Sequence, residues 1–315
     1  MRCVAIKSDQ TFAVEERDDP VPSTGEVLVR VRAAGLNAAD LMQRLGLYPA
    51  PPGSPPDIPG MELAGEVAAL GDGATRFAVG DRVMAVVGGG AQATHCVVHE
   101  RVLMPLPPKV DWPAAGGFPE AFMTAHDALF TQCGLAMGDR VCVHGAAGGV
   151  GTAAVQLAHA AGAHVTATVR DESRHDDVRA LGADEVLTPD RFAGTTGYNV
   201  ILELVGASNM EANLGALATG GRISVIGVGS GAVASVNLLG LMQKRAAIFG
   251  STLRARPLEA KADAARRLEQ HAVPLLADGR LRVPVLATYS LDEVDAAYER
   301  FAAGGKLGKI VLLGE

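Results

Sequence analysis

Long apolar runs are missing from this chain. No stretch approaches the roughly 20 apolar residues that cross a bilayer, and Met1-Arg2-Cys3-Val4-Ala5-Ile6 lacks the apolar segment and small-residue cleavage site of a secretory leader. The expectation is a soluble, cytoplasmic protein with no membrane partner. Cysteine is scarce: Cys3, Cys96, Cys133 and Cys142 stand far apart and form no Cys-x-x-Cys pair, so neither a disulfide framework nor a thiolate zinc knuckle is indicated. Four reduced, mostly buried thiols are expected instead. Basic stripes are missing too: 28 Lys and Arg are scattered among 35 acidic residues, for a net charge of −7, which gives no electrostatic footprint for nucleic acid. The partner left by these exclusions is a small molecule.

The 315 residues are enough for two domains, and a hydrophobic content of 48% supplies their cores. Residues 1 to 121 read as β-rich, with apolar runs at 27–31, 64–68 and 81–87 punctuated by Gly and Pro. The proline-dense stretch from Tyr48 to Pro59 reads as an ordered loop, since proline supplies no N–H to a helix or central strand. From 122 to 250 strands alternate with helices, the pattern of a parallel sheet with crossover helices. The candidate strands are 140–144, 164–169, 200–204 and 222–226, and an Ala-rich helix from Thr152 to Ala161 ends at Gly162, where a left-handed cap is expected. Beyond 250 come a helical segment from Leu258 to Leu276, a short helix from Asp292 to Ala302, and a last strand from Lys309 to Leu313.

The motif with the most chemistry is His144-Gly145-Ala146-Ala147-Gly148-Gly149-Val150-Gly151, lying between a candidate strand and a candidate helix. Glycine lets backbone approach a pyrophosphate, and a helix N-terminus favours its charge. Ala146 stands where Gly-x-Gly-x-x-Gly has its first glycine, so the context carries more weight than the bare pattern. At the end of the second strand an acid would hold the ribose 2′-OH of NAD. Here Val169 takes that place, followed by Arg170, Ser173 and Arg174, a set suited to the 2′-phosphate of NADPH. Asp171 and Glu172 partly offset the two arginines.

Seven segments in order then carry a family resemblance over essentially the whole chain: 35–40 (GLNAAD), 59–62 (PGME), 88–92 (GGGAQ), 119–125 (PEAFMTA), the Ala-Ala-Gly-Gly-Val-Gly loop, 251–256 (STLRAR) and 308–312 (GKIVL). The chain resembles the quinone oxidoreductase (zeta-crystallin-like) branch of the medium-chain dehydrogenase/reductase superfamily, most closely its p53-inducible type. The resemblance implies an α/β protein with a GroES-like β-rich catalytic domain from 1–121 and 251–315, and a Rossmann doubly wound parallel-sheet domain from 122–250. It also implies an active site in the interdomain cleft and a homodimer.

The zinc-dependent branch has a catalytic Cys where this chain has Asn37, a His where it has Met61 and a second Cys near Glu120, so no metal is expected. Glu62 remains, as a buried hydrogen-bonding acid or a functional one. Without a Lewis acid the acceptor must itself stabilise charge after hydride arrives, as a quinone does. An enal or enone does so too, and a crystallin-like protein that binds NADPH without turnover is a further reading. By resemblance, Asn37, Asp40 and Tyr48 face the substrate. Thr124 and the backbone at Val205, Gly227, Val228 and Phe249 approach the nicotinamide, and Lys309 reaches the pyrophosphate. His126 reads as a structural residue at a helix start. Thr188-Pro189 departs from the Asn-Tyr pair of many relatives after the third strand.

Overall fold

The computed structural model describes residues 1–314, which divide into two units: 1–123 with 253–314, and 124–252. In the second unit six strands form one parallel sheet in the order Glu185–Leu187, His164–Thr168, Arg140–Val143, Tyr198–Glu203, Leu217–Val225, Ala247–Gly250. In chain order this is 3-2-1-4-5-6, the doubly wound dinucleotide-binding arrangement, which reverses direction between its first and fourth strands. Helices on both faces explain why the central strands are apolar throughout rather than alternating: Val141, Cys142, Val143, Val200, Ile201 and Leu202 are all fully buried. The Gly149–Ala160 helix buries 151–158 almost continuously, because alanine lets it lie close to the sheet. Gly162 follows at φ +77°, the left-handed turn expected there. Ser251 donates to the Asp127 carboxylate (2.9 Å), fastening the last residues of this unit to its first.

The first unit is built on the ten-residue strand Glu26–Gly35, which pairs antiparallel with Glu62–Leu70 on one side. On its other side it pairs with His95–His99 over 26–30 and with Lys309–Leu313 over 33–35. The chain's last strand is therefore seated beside Gly35, Leu36 and Asn37. Val27, Val29 and Val31 point into a core with Leu63, Val67, Val83 and Val98, as period-two burial requires. A second core gathers Val4, Phe12, Leu36, Leu291, Tyr298, Ile310 and Leu312.

Several element limits differ from the sequence reading. The segment expected as one helix from Leu258 to Leu276 is two, Leu258–His271 and Val273–Ala277. Pro274 lacks the N–H that would continue the first, and is accommodated in the first turn of the second. His126 ends the helix Pro119–His126 and leads directly into the helical segment Asp127–Gln132. It is buried and lies against Phe130, with ring centroids 5.0 Å apart. All four cysteines are buried and free. Among the described residues no helix is long and apolar enough to cross a membrane.

Candidate active site

Parallel strands end on one edge of their sheet, so the topology collects the loops after Val143, Thr168, Glu203, Val225 and Gly250 together. After the first strand the backbone turns at Gly145 (φ +62°), and Gly148 donates its N–H to Gly145 O (3.0 Å) and caps the helix. Ala146 N–H donates to Thr168 O (3.1 Å), tying this loop to the second strand. The glycines do different work. A Cβ on Gly151 would lie 2.4 Å from Gly145 O and 2.6 Å from Ala146 Cα, so that glycine exists for helix–strand packing. A Cβ on Gly148 would meet nothing closer than 3.4 Å, so its bareness serves something outside the fold. Ala146 and Gly151 are buried, whereas Ala147, Gly148, Gly149 and Val150 stand partly exposed at the positive end of a three-turn helix. This is a cradle fit for a pyrophosphate.

Beside it, after the second strand, Val169 is buried and Arg170 is exposed. Ser173 donates both its N–H (3.1 Å) and its hydroxyl (2.6 Å) to Asp171, and Arg174 Nη1 lies 3.4 Å from Asp177. The Ser173 hydroxyl thus serves Asp171. Val205, Gly227, Val228 and Phe249 follow the fourth, fifth and sixth strands or end them, so they lie on the same sheet edge, with Val228 49% exposed. Thr124 is buried within the helix that begins this unit.

The other cluster belongs to the first unit. Lys309 Nζ is buried and spends all three protons there, on Glu62 (2.6 Å), Asn37 Oδ1 (2.7 Å) and Leu36 O (2.8 Å). Lys309, which the resemblance assigns to the pyrophosphate, is thus directed at its own strand's neighbours. Glu62 is fully buried and also accepts from Asn37 Nδ2 (3.0 Å) and from Glu120 N–H (2.8 Å). Asn37 has both ends of its amide engaged, and its N–H donates to Asp40 (2.8 Å), which sits in the first turn of the Ala38–Arg44 helix. Asp40 is fully buried and accepts from Gly60 N–H (3.2 Å), with Gln92 Nε2 at 3.4 Å. Burial raises its carboxyl to about 6, against the pull of Asn37 and Gly60 N–H groups and the Lys309 and Arg254 charges.

At the positions where a zinc-binding relative has ligands, this chain offers the Asn37 amide and the buried thioether of Met61, and the carboxylate beside them, Glu62, is already paired with an ammonium. Zinc prefers thiolate and imidazole. Among the described residues no group of three or more His, Cys, Asp or Glu could hold a metal ion.

Sequence reading passed over Arg254. It is 2% exposed, donates to Gly88 O (2.7 Å), Tyr48 O (2.9 Å) and the Gln43 side-chain oxygen, and lies over the Tyr48 ring. One guanidinium therefore joins the proline-rich loop, the glycine-rich 88–90 turn and the 251–256 segment. Tyr48 stands half-buried beside it, and burial raises its phenol pKa, with Arg254 opposing.

The model for the alcohol dehydrogenase GroES-like domain matches residues 23–108, and that for zinc-binding dehydrogenases matches 149–270. A human quinone oxidoreductase is 32% identical over 93% of this chain and 91% of its own length. An acryloyl-coenzyme A reductase of Metallosphaera sedula is 30% identical over 99% of both chains. The crystal structure of an alcohol dehydrogenase superfamily protein from Novosphingobium aromaticivorans superposes with a TM-score of 0.89 at 29% identity, covering 100% of this chain and 99% of that one.

Two outcomes are expected. Gly151→Ala should cost about 1–3 kcal/mol in urea unfolding, whereas Gly148→Val should cost about 1 kcal/mol or less while weakening dinucleotide binding about 100-fold or more in fluorescence titration. The reverse ranking would put the cradle elsewhere. Asp40, at about 6 in the fold against roughly 4 unfolded, contributes stability that is full below about pH 4 and lost as pH rises through about 6. The stability advantage of the wild type over Asp40→Asn should shrink by up to about 3 kcal/mol between about pH 4 and 7. A gap independent of pH would mean that Asp40 does not titrate there.

Proposed function

The chain belongs to the medium-chain dehydrogenase/reductase superfamily and is a nicotinamide-dependent oxidoreductase, and from that premise we propose that it passes hydride from NADPH to a quinone-like acceptor without zinc. The observation that carries this reading is the Lys309–Glu62–Asn37 cluster: Asn37, at one donor position of a metal-dependent relative, and the neighbouring carboxylate Glu62 are committed to the Lys309 ammonium. An alcohol must lose its hydroxyl proton as its hydride leaves, a step a metal ion promotes, while a quinone accepts a hydride into a ring that spreads the charge. When bound, the dinucleotide supplies the hydride.

The chain's own residues bind, orient and protonate. Backbone at Ala146–Gly151 receives the pyrophosphate at the helix start, and Val169 offers no acid to a ribose 2′-OH. Arg170 and Arg174, with Ser173 at the turn, meet the 2′-phosphate. Thr124, Val205, Gly227, Val228 and Phe249 border the ring. Tyr48, held by Arg254, supplies a proton to the reduced oxygen. Asn37 and Asp40 act by fixing the turn that carries them, since their polar atoms are already paired. Lys309 serves this cluster. A homodimer fits the second unit, whose edge strand Ala247–Gly250 is preceded by the exposed Val233, Leu238, Leu239 and Met242.

A second reading, reduction of an α,β-unsaturated carbonyl, is favoured by the likeness to the acryloyl-coenzyme A reductase. It uses the same cofactor cradle and the same proton donor.

Purified protein should oxidise NADPH with 1,2-naphthoquinone faster than NADH, and a zinc chelator should change nothing. Activity lost to chelator would overturn the zinc-free reading, and turnover with an enone alone would move the assignment to the second one. The double change Arg170→Asp, Arg174→Asp should lower the NADPH-to-NADH ratio of kcat/KM by about tenfold or more; an unchanged ratio would remove the 2′-phosphate role from both arginines.

A further inference from the structure

Beneath the sheet edge runs a buried chain of hydrogen bonds that the proposed function does not use. His144, Asn213, Glu203 and Thr168 are each 2% exposed or less. Thr168 Oγ1 lies 2.9 Å from His144 Nδ1, and His144 Nε2 lies 2.7 Å from Asn213 Oδ1. Asn213 Nδ2 donates to Glu203 Oε2 (2.6 Å). Since the Asn213 oxygen can only accept, His144 donates from Nε2 and accepts the Thr168 hydroxyl proton at Nδ1. Burial lowers the imidazole's pKa despite Glu203, which suits this neutral form.

The chain ends on the backbone of a loop. Glu203 Oε1 accepts from Val205 N–H (2.6 Å), Gly206 N–H (2.8 Å) and Asn209 Nδ2 (3.3 Å). With Asn213 that makes four N–H donors on one fully buried carboxylate, close to the limit of its two oxygens. The loop so held is unusual. Gly206 sits at φ +124°, and a Cβ there would lie 2.9 Å from both Gly231 O and Val228 Cα. Val205 O accepts from Ser230 N–H (2.8 Å) and Gly231 O from Ala207 N–H (3.0 Å), so the loops after the fourth and fifth strands move together or not at all. At its other end the chain meets the phosphate cradle, because Thr168 O holds Ala146 N–H.

A dinucleotide in a doubly wound sheet lies across the point where strand order reverses, one half on each side. Here the cradle and the two arginines belong to the first and second strands, and the Glu203 loops to the fourth and fifth. We propose that Glu203 is a positioning residue for hydride transfer: it fixes the Val205–Gly206 backbone beside the ring-bearing half of the cofactor and, through Asn213 and His144, keeps it in register with the phosphate cradle. The assignment rests on the dinucleotide reading above. It separates binding from chemistry, because the phosphate half is held by other atoms.

Glu203→Leu removes the anchor, while Glu203→Gln keeps an oxygen for Val205 and Gly206 and lets Asn213 and His144 reverse their polarity. In protein without cofactor, amide exchange at Val205 and Gly206 should rise about tenfold or more in the Leu variant and stay within about threefold in the Gln variant. With 1,2-naphthoquinone, kcat for NADPH should fall about tenfold or more in the Leu variant while KM changes little, and return in the Gln variant. Affinity for the ADP-ribose 2′-phosphate, which lacks the ring, should stay within about threefold throughout. Should the Leu variant fail to fold, Asn213→Leu decides: lowered kcat with retained affinity for the ring-less analogue supports the proposal, and unaltered kcat overturns it. Unchanged exchange with full kcat in Glu203→Leu, or affinity for the analogue lost in step with that for NADPH, would also overturn it. Wild-type protein that bound neither NADPH nor the analogue would instead sink the dinucleotide reading itself, leaving the exchange result to report on the anchor.

Discussion

Each unit is organised around a carboxylate that water does not reach and that several N–H donors surround. Moving an ionised carboxyl into an interior costs several kcal/mol unless donors replace its hydration, so the chain around it must deliver N–H groups in a fixed arrangement. Glu62 gathers the Lys309 ammonium, the Asn37 amide and the Glu120 N–H. Glu203 gathers two backbone and two side-chain N–H groups. Breaking either set would leave a charge stranded, and that penalty makes the surrounding turns stiff.

That stiffness is put where function needs it. Around Glu62 three segments distant in sequence converge: the turn after Gly35, the start of the Glu62–Leu70 strand and the start of the last strand. Around Glu203 the loops on one side of the strand-order reversal are held to the cradle on the other. Hydride transfer depends on placing two flat partners to within a fraction of an ångström, and buried, saturated acceptors hold backbone more firmly than solvent-exposed pairs. Arg254 applies the same principle with the opposite charge, donating from each of its three nitrogens, to the carbonyl oxygens of Gly88 and Tyr48 and to Gln43.

Much of this was legible in the residues. Alternation along Val27–Val31, the unbroken apolar strands of the parallel sheet, the Ala-rich helix closed by Gly162 and the glycine cradle all rest on rules that act within a few residues. The helical segment expected from Leu258 to Leu276 is divided for a local reason as well, because Pro274 has no N–H to continue the first helix. The site was harder to read. Asn37 and Lys309 drew attention as candidate ligand-binding groups, yet the structure has them satisfying each other across 272 positions of sequence. No local pattern marks Glu203 or Arg254 as a residue on which several hydrogen bonds converge.

The sequence by itself determined the class of most segments, the parallel-sheet character of the middle of the chain and the glycine turn between its first strand and helix, because periodicity and glycine placement are properties of near neighbours. Only the tertiary structure decided which donors saturate Glu62 and Glu203, that Lys309 turns to its own strand's neighbours, and that Arg254 binds the Tyr48 loop. Those choices depend on which strands lie side by side, and a buried charge takes its partners from whatever the topology brings within about 3 Å of it.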